Sequence, residues 1–203
     1  MALDEFALQS VPDTHYAWAP KNTAPTVPSD ERNRKKLNGF LDVDLQRGTT
    51  HVGFRKEAKT GDAVVMVVLL VLRCVQAGFR WITVILDNAT IHRDAMKSAV
   101  AGLLAEIAEN PAWAGLKNIS LEFLHTPPYS PAFNPAEYLI HLVRQDALYH
   151  LPCTFTLQDK AGRVQEHLAQ GPPLTPKQMG NLLRHIGNLP RSGKPVKNWP
   201  KLE

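Results

Sequence analysis

Two acidic residues stand where the sequence predicts the boundaries of buried structural elements. In the stretch Asn134-Pro-Ala-Glu137, Asn134 can accept from the free N–H groups of a following helical turn, and Pro135 fits its first position. Glu137 is then expected at the third helical position, where the helix dipole favours a carboxylate. Asp87 ends the apolar run of residues 81–86. Carboxylates at such positions are typical of sites for divalent metal ions.

A third acid, Asp4, is expected at the end of the first predicted strand. The carboxyl ends of parallel strands line the crevice in which ligands bind, so Asp4, Asp87 and Glu137 are expected to meet there. Gathered carboxylates repel one another unless cations neutralise them. Two Mg²⁺ ions about 3.5–4 Å apart can activate a nucleophile and stabilise the leaving oxygen of a phosphodiester. Asp42 and Asp44 are rival first acids, because both lie near another strand end.

The hydrophobic periodicity predicts the elements that must position these acids. In chain order they are strands over residues 3–11, 37–44 and 49–55, a helix over 63–77 capped by Asp62, a strand over 82–86, a helix over about 96–108, a strand over 119–124 and a helix over 135–149. Strands that alternate with helices in the second half indicate parallel crossovers and a layered α/β domain. Beyond residue 151 we expect two short helices, over 159–169 and 176–186, and then an extended basic end.

Composition bounds the class of protein. Of the 203 residues, 44% are apolar and 21% are charged, which is typical of one globular domain with a real core. The formal charge of +4 is compatible with a polyanionic partner. Cys74 and Cys153 have no metal-binding spacing and are interpreted as reduced thiols of a cytosolic protein. No secretion signal is predicted. The apolar run of residues 63–72 is about half a membrane span, so no membrane contact is expected.

The segments around the acids carry a family resemblance. Leu86-Asp-Asn-Ala-Thr-Ile-His92 and Pro127-Pro-Tyr-Ser-Pro-Ala-Phe-Asn-Pro-Ala-Glu137 look like the two signature blocks of DDE transposases. Asp4-Glu5, followed by residues 15–20, resembles the family's opening Asp-Glu block and its downstream Trp-Ala-Pro segment. The resemblance is to bacterial insertion-sequence relatives of the mariner family and covers roughly residues 3–150.

This resemblance implies a fold, a reaction and a set of partners. The fold would be a ribonuclease-H-like mixed sheet flanked by helices, with a catalytic domain over residues 1–150 and a helical, extended basic tail over 151–203. Asp4, Asp87 and Glu137 would be the catalytic residues and ligands of Mg²⁺, or of Mn²⁺ in its place. Such enzymes cleave DNA at transposon ends and join the 3′ hydroxyl to target DNA. The implied partners are DNA, a second copy of the chain or a separately encoded helix-turn-helix part, in a nucleoid-associated cytoplasmic setting.

Residues beside the acids also have expected positions. Asn88 and His92 match the second block and are expected next to the metals as supporting residues rather than ligands. Each acid also has an ordinary structural explanation. Glu137 can form a capping box with Asn134, Asp87-Asn88 an Asx turn, and Asp4 a solvated charge.

Three departures from the family pattern keep alternatives open. Members of the family often have a Trp shortly after the final acid, whereas this chain has Tyr138-Leu-Ile-His141. The spacer between Asp87 and Glu137 is 49 residues, longer than usual for the family, which a longer helix and a loop over 110–117 would explain. No helix-turn-helix region is predicted ahead of the first strand. The alternatives are therefore an inactive or truncated transposase-derived fragment that binds DNA or a partner, and a stand-alone ribonuclease-H-like nuclease.

Further residues are candidates for contact with nucleic acid. Trp18 can stack on a base or anchor a loop. Basic residues can contact phosphates or form ordinary solvated surface; these are residues 32–36, Arg191, Lys194, Lys197 and Lys201.

Overall fold

The computed structural model describes residues 1–13, 20–23, 35–171 and 173–192. Its strands are β1 (Ala2–Gln9), β2 (Lys36–Val43), β3 (Thr50–Arg55), β4 (Trp81–Leu86) and β5 (Ser120–His125). Its helices are α1 (Thr60–Gln76), α2 (Asp94–Ile107), α3 (Pro135–Val143), α4 (Leu157–Gln170) and α5 (Pro176–Ser192). The predicted order of strands and helices is confirmed. Trp18, the residue 15–20 segment except Pro20, and most of the basic candidates lie outside the described residues.

The five strands form one mixed sheet in the order β3-β2-β1-β4-β5. The pairs β1–β2 and β2–β3 are antiparallel, whereas β1–β4 and β4–β5 are parallel. The predicted hairpin of the second and third strands and the predicted parallel crossovers are therefore both present. The end of β4 lies beside the beginning of β1, since Ala2, the first residue of β1, pairs with Ile85 near the end of β4.

Two hydrophobic clusters cover the two faces of the sheet. Side chains of α1 and α2 pack with Leu3 and Phe40 in one cluster. Side chains of α3, α4 and α5 pack with Ala2 and Leu41 in the other. Because neighbouring residues of a strand point to opposite faces, the alternation in β1 and β2 distributes its apolar residues between both layers. Residues that follow Ala2 at intervals of two, including Asp4, therefore face the α3 side.

Several element boundaries differ from the sequence prediction; α5, for example, runs to Ser192, where a helix over 176–186 and then an extended end were expected. Helix α1 begins at Thr60 rather than 63, because Asp62 acts from inside the first turn: its Oδ2 accepts from the Lys59 backbone N–H at 3.1 Å. The helix predicted over residues 135–149 is α-helical only to Val143, and a π-helical turn over Arg144–Leu148 follows it. The expected loop after α2 contains 3₁₀ helix over Pro111–Asn118, with Pro111 at its first position.

Helix α4 is tied to β1 by a buried lysine. The Lys160 side chain is 1% exposed, and its Nζ donates to the carbonyls of Gln9 at 2.6 Å and Val11 at 2.8 Å. Its Nζ also lies 3.8 Å from a carboxylate oxygen of Asp13. Burial lowers the pKa of Lys160, so these oxygens are what hold the ammonium there. The division of the chain near residue 150 stays a prediction.

Lys160→Met is expected to lower the free energy of unfolding by about 2–4 kcal/mol. The methionine fills much of the same space but leaves two part-buried carbonyl oxygens without this donor. Chemical denaturation followed by circular dichroism measures the change. The matched control is Lys177→Met on the exposed surface of α5, which is expected to change stability by less than about 0.5 kcal/mol. Equal effects of the two substitutions would contradict the assigned role of Lys160.

Among the described residues, the helices are all too short or too polar to cross a membrane. Cys74 and Cys153 are both free thiols, and Cys74 is a buried residue of α1.

Candidate metal centre

Asp4 is the most buried of the three predicted acids. Its side chain lies on β1 and is 5% exposed. One carboxylate oxygen accepts from the Glu5 backbone N–H at 2.8 Å, and the other accepts from Asn134 Nδ2 at 2.9 Å. The interpretation of Asp4 as a solvated charge is therefore wrong. Removing a carboxylate from water costs free energy, so a buried carboxylate is expected to have a charged or hydrogen-bonding partner or a functional role.

The position of Asp4 in its strand also corrects the sequence prediction. Asp4 is the third residue of β1, which runs on to Gln9, so it does not lie at the strand's end. The sheet register nevertheless brings it to Asp87. Ala2 pairs with Ile85, and two further residues along both parallel strands lead to Asp4 and Asp87 on the same face. The end of β4 therefore meets the first residues of the longer β1 at this point.

Asp87 follows β4 and is held by two bonds to one oxygen. Its Oδ1 accepts from the Ala89 backbone N–H at 2.9 Å, which is the expected Asx turn, and lies 2.7 Å from His92 Nδ1. Both of these bonds fix the carboxylate through Oδ1, so Oδ2 is the oxygen that can face a cation. The Asx turn and a ligand role are therefore compatible.

The loops after β4 and β5 are joined beside Asp87. The Asn88 side-chain amide donates to the Thr126 carbonyl, and His125 Nδ1 lies 2.9 Å from the Asp87 carbonyl oxygen. Asn88 therefore supports the loop, in keeping with the supporting role that the sequence predicts for it.

Glu137 is presented by the start of α3 as predicted. Asn134 is the N-cap and accepts from the Ala136 N–H at 3.1 Å, Pro135 takes the first position and Glu137 the third. The Asn134 backbone N–H donates to the Pro131 carbonyl at 2.8 Å. In a capping box the Glu137 carboxylate would accept from this Asn134 N–H, but here the Pro131 carbonyl is the acceptor. Glu137 is left available for chemistry.

Asn134 also sets the distance between α3 and β1. It is fully buried, and its Nδ2 donates both to the Leu3 carbonyl at 3.0 Å and to Asp4. One side chain therefore caps the helix that carries Glu137 and grips the strand that carries Asp4. This double role was not predicted, because only the cap can be inferred from residues adjacent in sequence.

Asn134→Ala is expected to destabilise the protein by about 2–4 kcal/mol, since it removes the cap and the donor to two buried oxygens. Asn134→Ser separates the two roles, because serine caps as well as asparagine but is too short to bridge to β1. We expect Asn134→Ser to lie between wild type and Asn134→Ala in thermal denaturation. A serine variant as stable as wild type would show that the bridge contributes nothing.

A buried histidine links two of the acids at this site. His92 is 0% exposed; its Nδ1 contacts Asp87, and its Nε2 lies 2.8 Å from Glu5 Oε1. Among the described residues, Glu5, Asp87 and His92 form a group whose ligand atoms all lie within 4.8 Å of one another. The role of Glu5 was missed, because Glu5 and His92 are 87 residues apart. The signal that pointed to it was the paired Asp4-Glu5 block.

The ionisation of these groups reflects their crowding. Burial, followed by repulsion from Glu137 and Glu5, raises the pKa of Asp4 to about 8. Burial also raises the pKa of Glu137, with opposition from the Arg144 guanidinium and reinforcement from Asp87. The bond from His92 holds the pKa of Asp87 below its usual range. Burial disfavours the imidazolium, but the bonds to Asp87 and Glu5 outweigh it and raise the pKa of His92 to about 10.

The charge balance of the site fits a divalent cation. The four carboxylates of Asp4, Glu5, Asp87 and Glu137 are coupled electrostatically, and the groups that oppose them are His92, Arg144 and His125. The carboxylates outnumber these groups, so negative charge is in excess when every carboxylate is ionised. A divalent cation would neutralise the excess, and oxygen-rich ligand sets are those that Mg²⁺ and Mn²⁺ prefer.

The rival acids have structural roles. Asp42 pairs with Leu3 in the β1–β2 register, so it points to the opposite face from Asp4, where it forms a buried ion pair with Arg73. Asp44 accepts from the backbone N–H groups of Gln46 and Arg47 in the β2–β3 turn. Neither side chain reaches the site.

Comparison with known families agrees with this arrangement. Residues 1–157 match the family model described as DDE superfamily endonuclease. No curated protein matches the sequence significantly.

Solved structures share the fold at low sequence identity. A Mos1 mariner paired-end complex with Mn has a TM-score of 0.69 at 15% identity, covering 97% of this chain and 56% of that chain. The corresponding complex with Mg has a TM-score of 0.66 at 16% identity, with the same coverage. A Mos1 transposase paired-end complex with the left transposon end has a TM-score of 0.60 at 16% identity, covering 94% and 52%. The ribonuclease-H-like fold prediction is confirmed. This chain spans about half the length of those transposase chains.

Proposed function

The chain belongs to the DDE superfamily endonucleases, and from this premise we propose that it is a transposase catalytic domain that cleaves DNA strands and transfers them with the help of Mg²⁺ or Mn²⁺. The observation that supports the proposal most is the meeting of Asp4, Asp87 and Glu137. The sheet register puts the first two on one face, Glu137 and Asp87 both raise the pKa of Asp4, and Asp87 also raises that of Glu137. Three unrelated segments of the chain thus contribute acid to one place.

In this proposal the three acids hold the metal, and their neighbours hold the acids. Asp87 would bind through Oδ2, because His92 and Ala89 fix its Oδ1. His92 keeps Asp87 ionised and prevents its rotation. Asn134 fixes the Asp4 carboxylate by donating to it from Nδ2.

When bound, two divalent ions activate the attacking hydroxyl and stabilise the leaving oxygen of an in-line displacement at phosphorus. The protein's own contribution is to supply carboxylates that need little reorganisation as charge develops. Water would be the attacking group in strand cleavage, and the freed 3′ hydroxyl would be the attacking group in strand transfer. Both reactions use the same ligands, so one site serves both.

The partners follow from the same premise. Similar solved structures include a Mos1 transposase paired-end complex with the left transposon end and a Mos1 strand transfer complex. We propose transposon ends and target DNA as substrates of this chain, and a second copy or a separately encoded helix-turn-helix part as its protein partner. The work of such an enzyme would take place at the nucleoid.

Nicking of supercoiled plasmid by the purified chain tests the proposal without requiring a terminal sequence. We expect nicked circles with Mg²⁺ or Mn²⁺ and none with EDTA. Asp87→Asn, purified in the same way, controls for contaminating nuclease. Activity that persists in EDTA, or equally in Asp87→Asn, would contradict a metal site at these acids.

Two further outcomes separate the alternatives. Cleavage of RNA–DNA hybrids in preference to duplex DNA would identify a stand-alone ribonuclease-H-like nuclease. DNA binding without nicking, under every metal tested and with the helix-turn-helix partner supplied, would identify a non-cutting fragment instead.

A further inference from the structure

Glu5 contacts one residue of the site through its backbone and another through its side chain. Its backbone N–H donates to Asp4 at 2.8 Å, and its Oε1 lies 2.8 Å from His92 Nε2. His92 Nδ1 in turn lies 2.7 Å from Asp87 Oδ1. A continuous series of three hydrogen bonds therefore connects Asp4 of β1 to Asp87 after β4, and Glu5 stands at its centre.

The side chain of Glu5 does not share the sheet face of Asp4. Neighbouring residues of a strand point to opposite faces, so Glu5 points to the side that α1 and α2 cover. The 3₁₀ turn Thr90–His92 packs against these two helices. There the Glu5 side chain is 16% exposed and meets the fully buried ring of His92. This position favours a role beneath the metal centre over a role as one of its ligands.

The ring of His92 is held at both of its nitrogens. Each nitrogen contacts a carboxylate, so neither is free to bind an ion. A buried polar atom that loses its partner costs free energy. Without the Glu5 side chain, Nε2 would be such an atom, and the ring would turn toward another partner. Asp87 Oδ1 would then lose one of the two contacts that fix it.

We propose that Glu5 is a positioning residue of the metal centre, which holds the His92 ring so that Asp87 presents Oδ2 to the ion. The inference rests on the proposed function, because that function makes Asp87 a metal ligand. Hydrogen-bond partners orient the ligands of a metal, and their removal typically costs about 10–100-fold in metal affinity. Glu5 contributes the reach of its side chain from β1 to His92 rather than a bond to the metal.

The Mn²⁺ affinity of the full chain, measured by isothermal titration calorimetry without DNA, separates reach from charge. Glu5→Gln removes the charge but keeps the length, and its amide can accept from or donate to His92 Nε2. Glu5→Asp keeps the charge but is one methylene shorter, so it does not span to His92. We expect Glu5→Gln to bind Mn²⁺ within about 3-fold of wild type and Glu5→Asp to bind it about 10-fold or more weakly.

The opposite order of affinities would show that Glu5 acts through its charge or as a ligand, and would overturn the inference. A loss of about 10-fold or more in Glu5→Gln would do so on its own. The matched control is Glu122→Asp on the exposed surface of β5, which should bind Mn²⁺ like wild type. Circular dichroism establishes that each variant is folded before its affinity is measured.

A double-mutant cycle tests whether Glu5 acts through His92. In a His92→Gln background the positioned ring is absent, so Glu5→Asp should weaken Mn²⁺ binding by less than about 2-fold further. The same loss in both backgrounds would assign Glu5 a direct contact with the ion and would contradict the positioning role.

These outcomes are distinct from those of the proposed function. If nicking depends on Asp87 but Glu5→Asp binds Mn²⁺ like wild type, the role of Glu5 alone fails. If Mn²⁺ binding depends on the reach of Glu5 but no metal supports nicking, the proposed reaction fails and the positioning role stands.

Discussion

Asp87→Asn is expected to reduce Mg²⁺-dependent nicking by at least about 1,000-fold, equivalent to about 4 kcal/mol of transition-state stabilisation. The amide keeps an oxygen for the Ala89 N–H and so preserves the turn after β4. It removes the negative charge that binds the metal and pairs with His92. The loss should therefore be one of chemistry rather than of folding. Initial rates of plasmid nicking, together with thermal denaturation of the same preparation, measure both quantities.

The matched control is Asp94→Asn, which makes the same chemical change on an exposed side chain. Asp94 and Asp87 both line one surface groove. It is expected to nick within about 2-fold of wild type, since Asp94 is far more solvated than Asp87. Equal activity in wild type and Asp87→Asn would remove Asp87 from the site. Equal losses in both variants would point to a general electrostatic effect of the groove on DNA binding.

The parts of the site that could be predicted from sequence are those fixed by neighbouring residues. Asn134, Pro135 and Glu137 define a helix start within four positions, and the structure has this start as expected. The turn after Asp87 is local in the same sense. Capping and turn chemistry depend on a few adjacent backbone groups, so their signals survive without knowledge of the fold.

The parts that could not be predicted depend on strand register. Asp4 meets Asp87 near the start of β1, because the end of β4 pairs with β1 at Ala2. No local pattern reports that offset. The contact between Glu5 of β1 and His92 in the turn after β4 likewise joins two residues that are 87 positions apart in the sequence. The sequence thus predicts which acids gather, while the packing determines which groups hold them.

Asp4→Asn is expected to abolish nicking and yet to stabilise the metal-free protein. Its buried carboxyl has a pKa raised to about 8 because of burial and repulsion from Glu137 and Glu5. Folding at neutral pH therefore requires this group either to be buried with its charge or to take up a proton, and both oppose folding. The amide removes that charge but keeps a single acceptor oxygen, so one of the two donors, the Glu5 N–H or Asn134 Nδ2, loses its partner and offsets part of the gain. We expect a gain of about 2 kcal/mol, or about 4–8 °C in the melting temperature at about pH 8.

The pH dependence of this gain gives its sign an independent check. Below about pH 4 the Asp4 carboxyl is protonated in both the folded and the unfolded chain, so it contributes no difference. Between about pH 4 and pH 8 the unfolded chain loses this proton while the folded chain keeps it, and stability falls as the pH rises. The advantage of Asp4→Asn should therefore grow from about pH 5 to about pH 8. The contribution of His92 is shared by both proteins and largely cancels in the comparison.

Metal should reverse the order of the two proteins. Saturating Mg²⁺ neutralises the Asp4 charge in the wild type and raises its melting temperature, because the ion binds only the folded chain. The variant lacks one of the three proposed ligands and should gain much less. If Asp4→Asn is less stable than wild type at about pH 8 without metal, the carboxylate is stabilised by its surroundings. That result would contradict the interpretation that the Asp4 carboxylate lacks a neutralising partner until a metal ion binds.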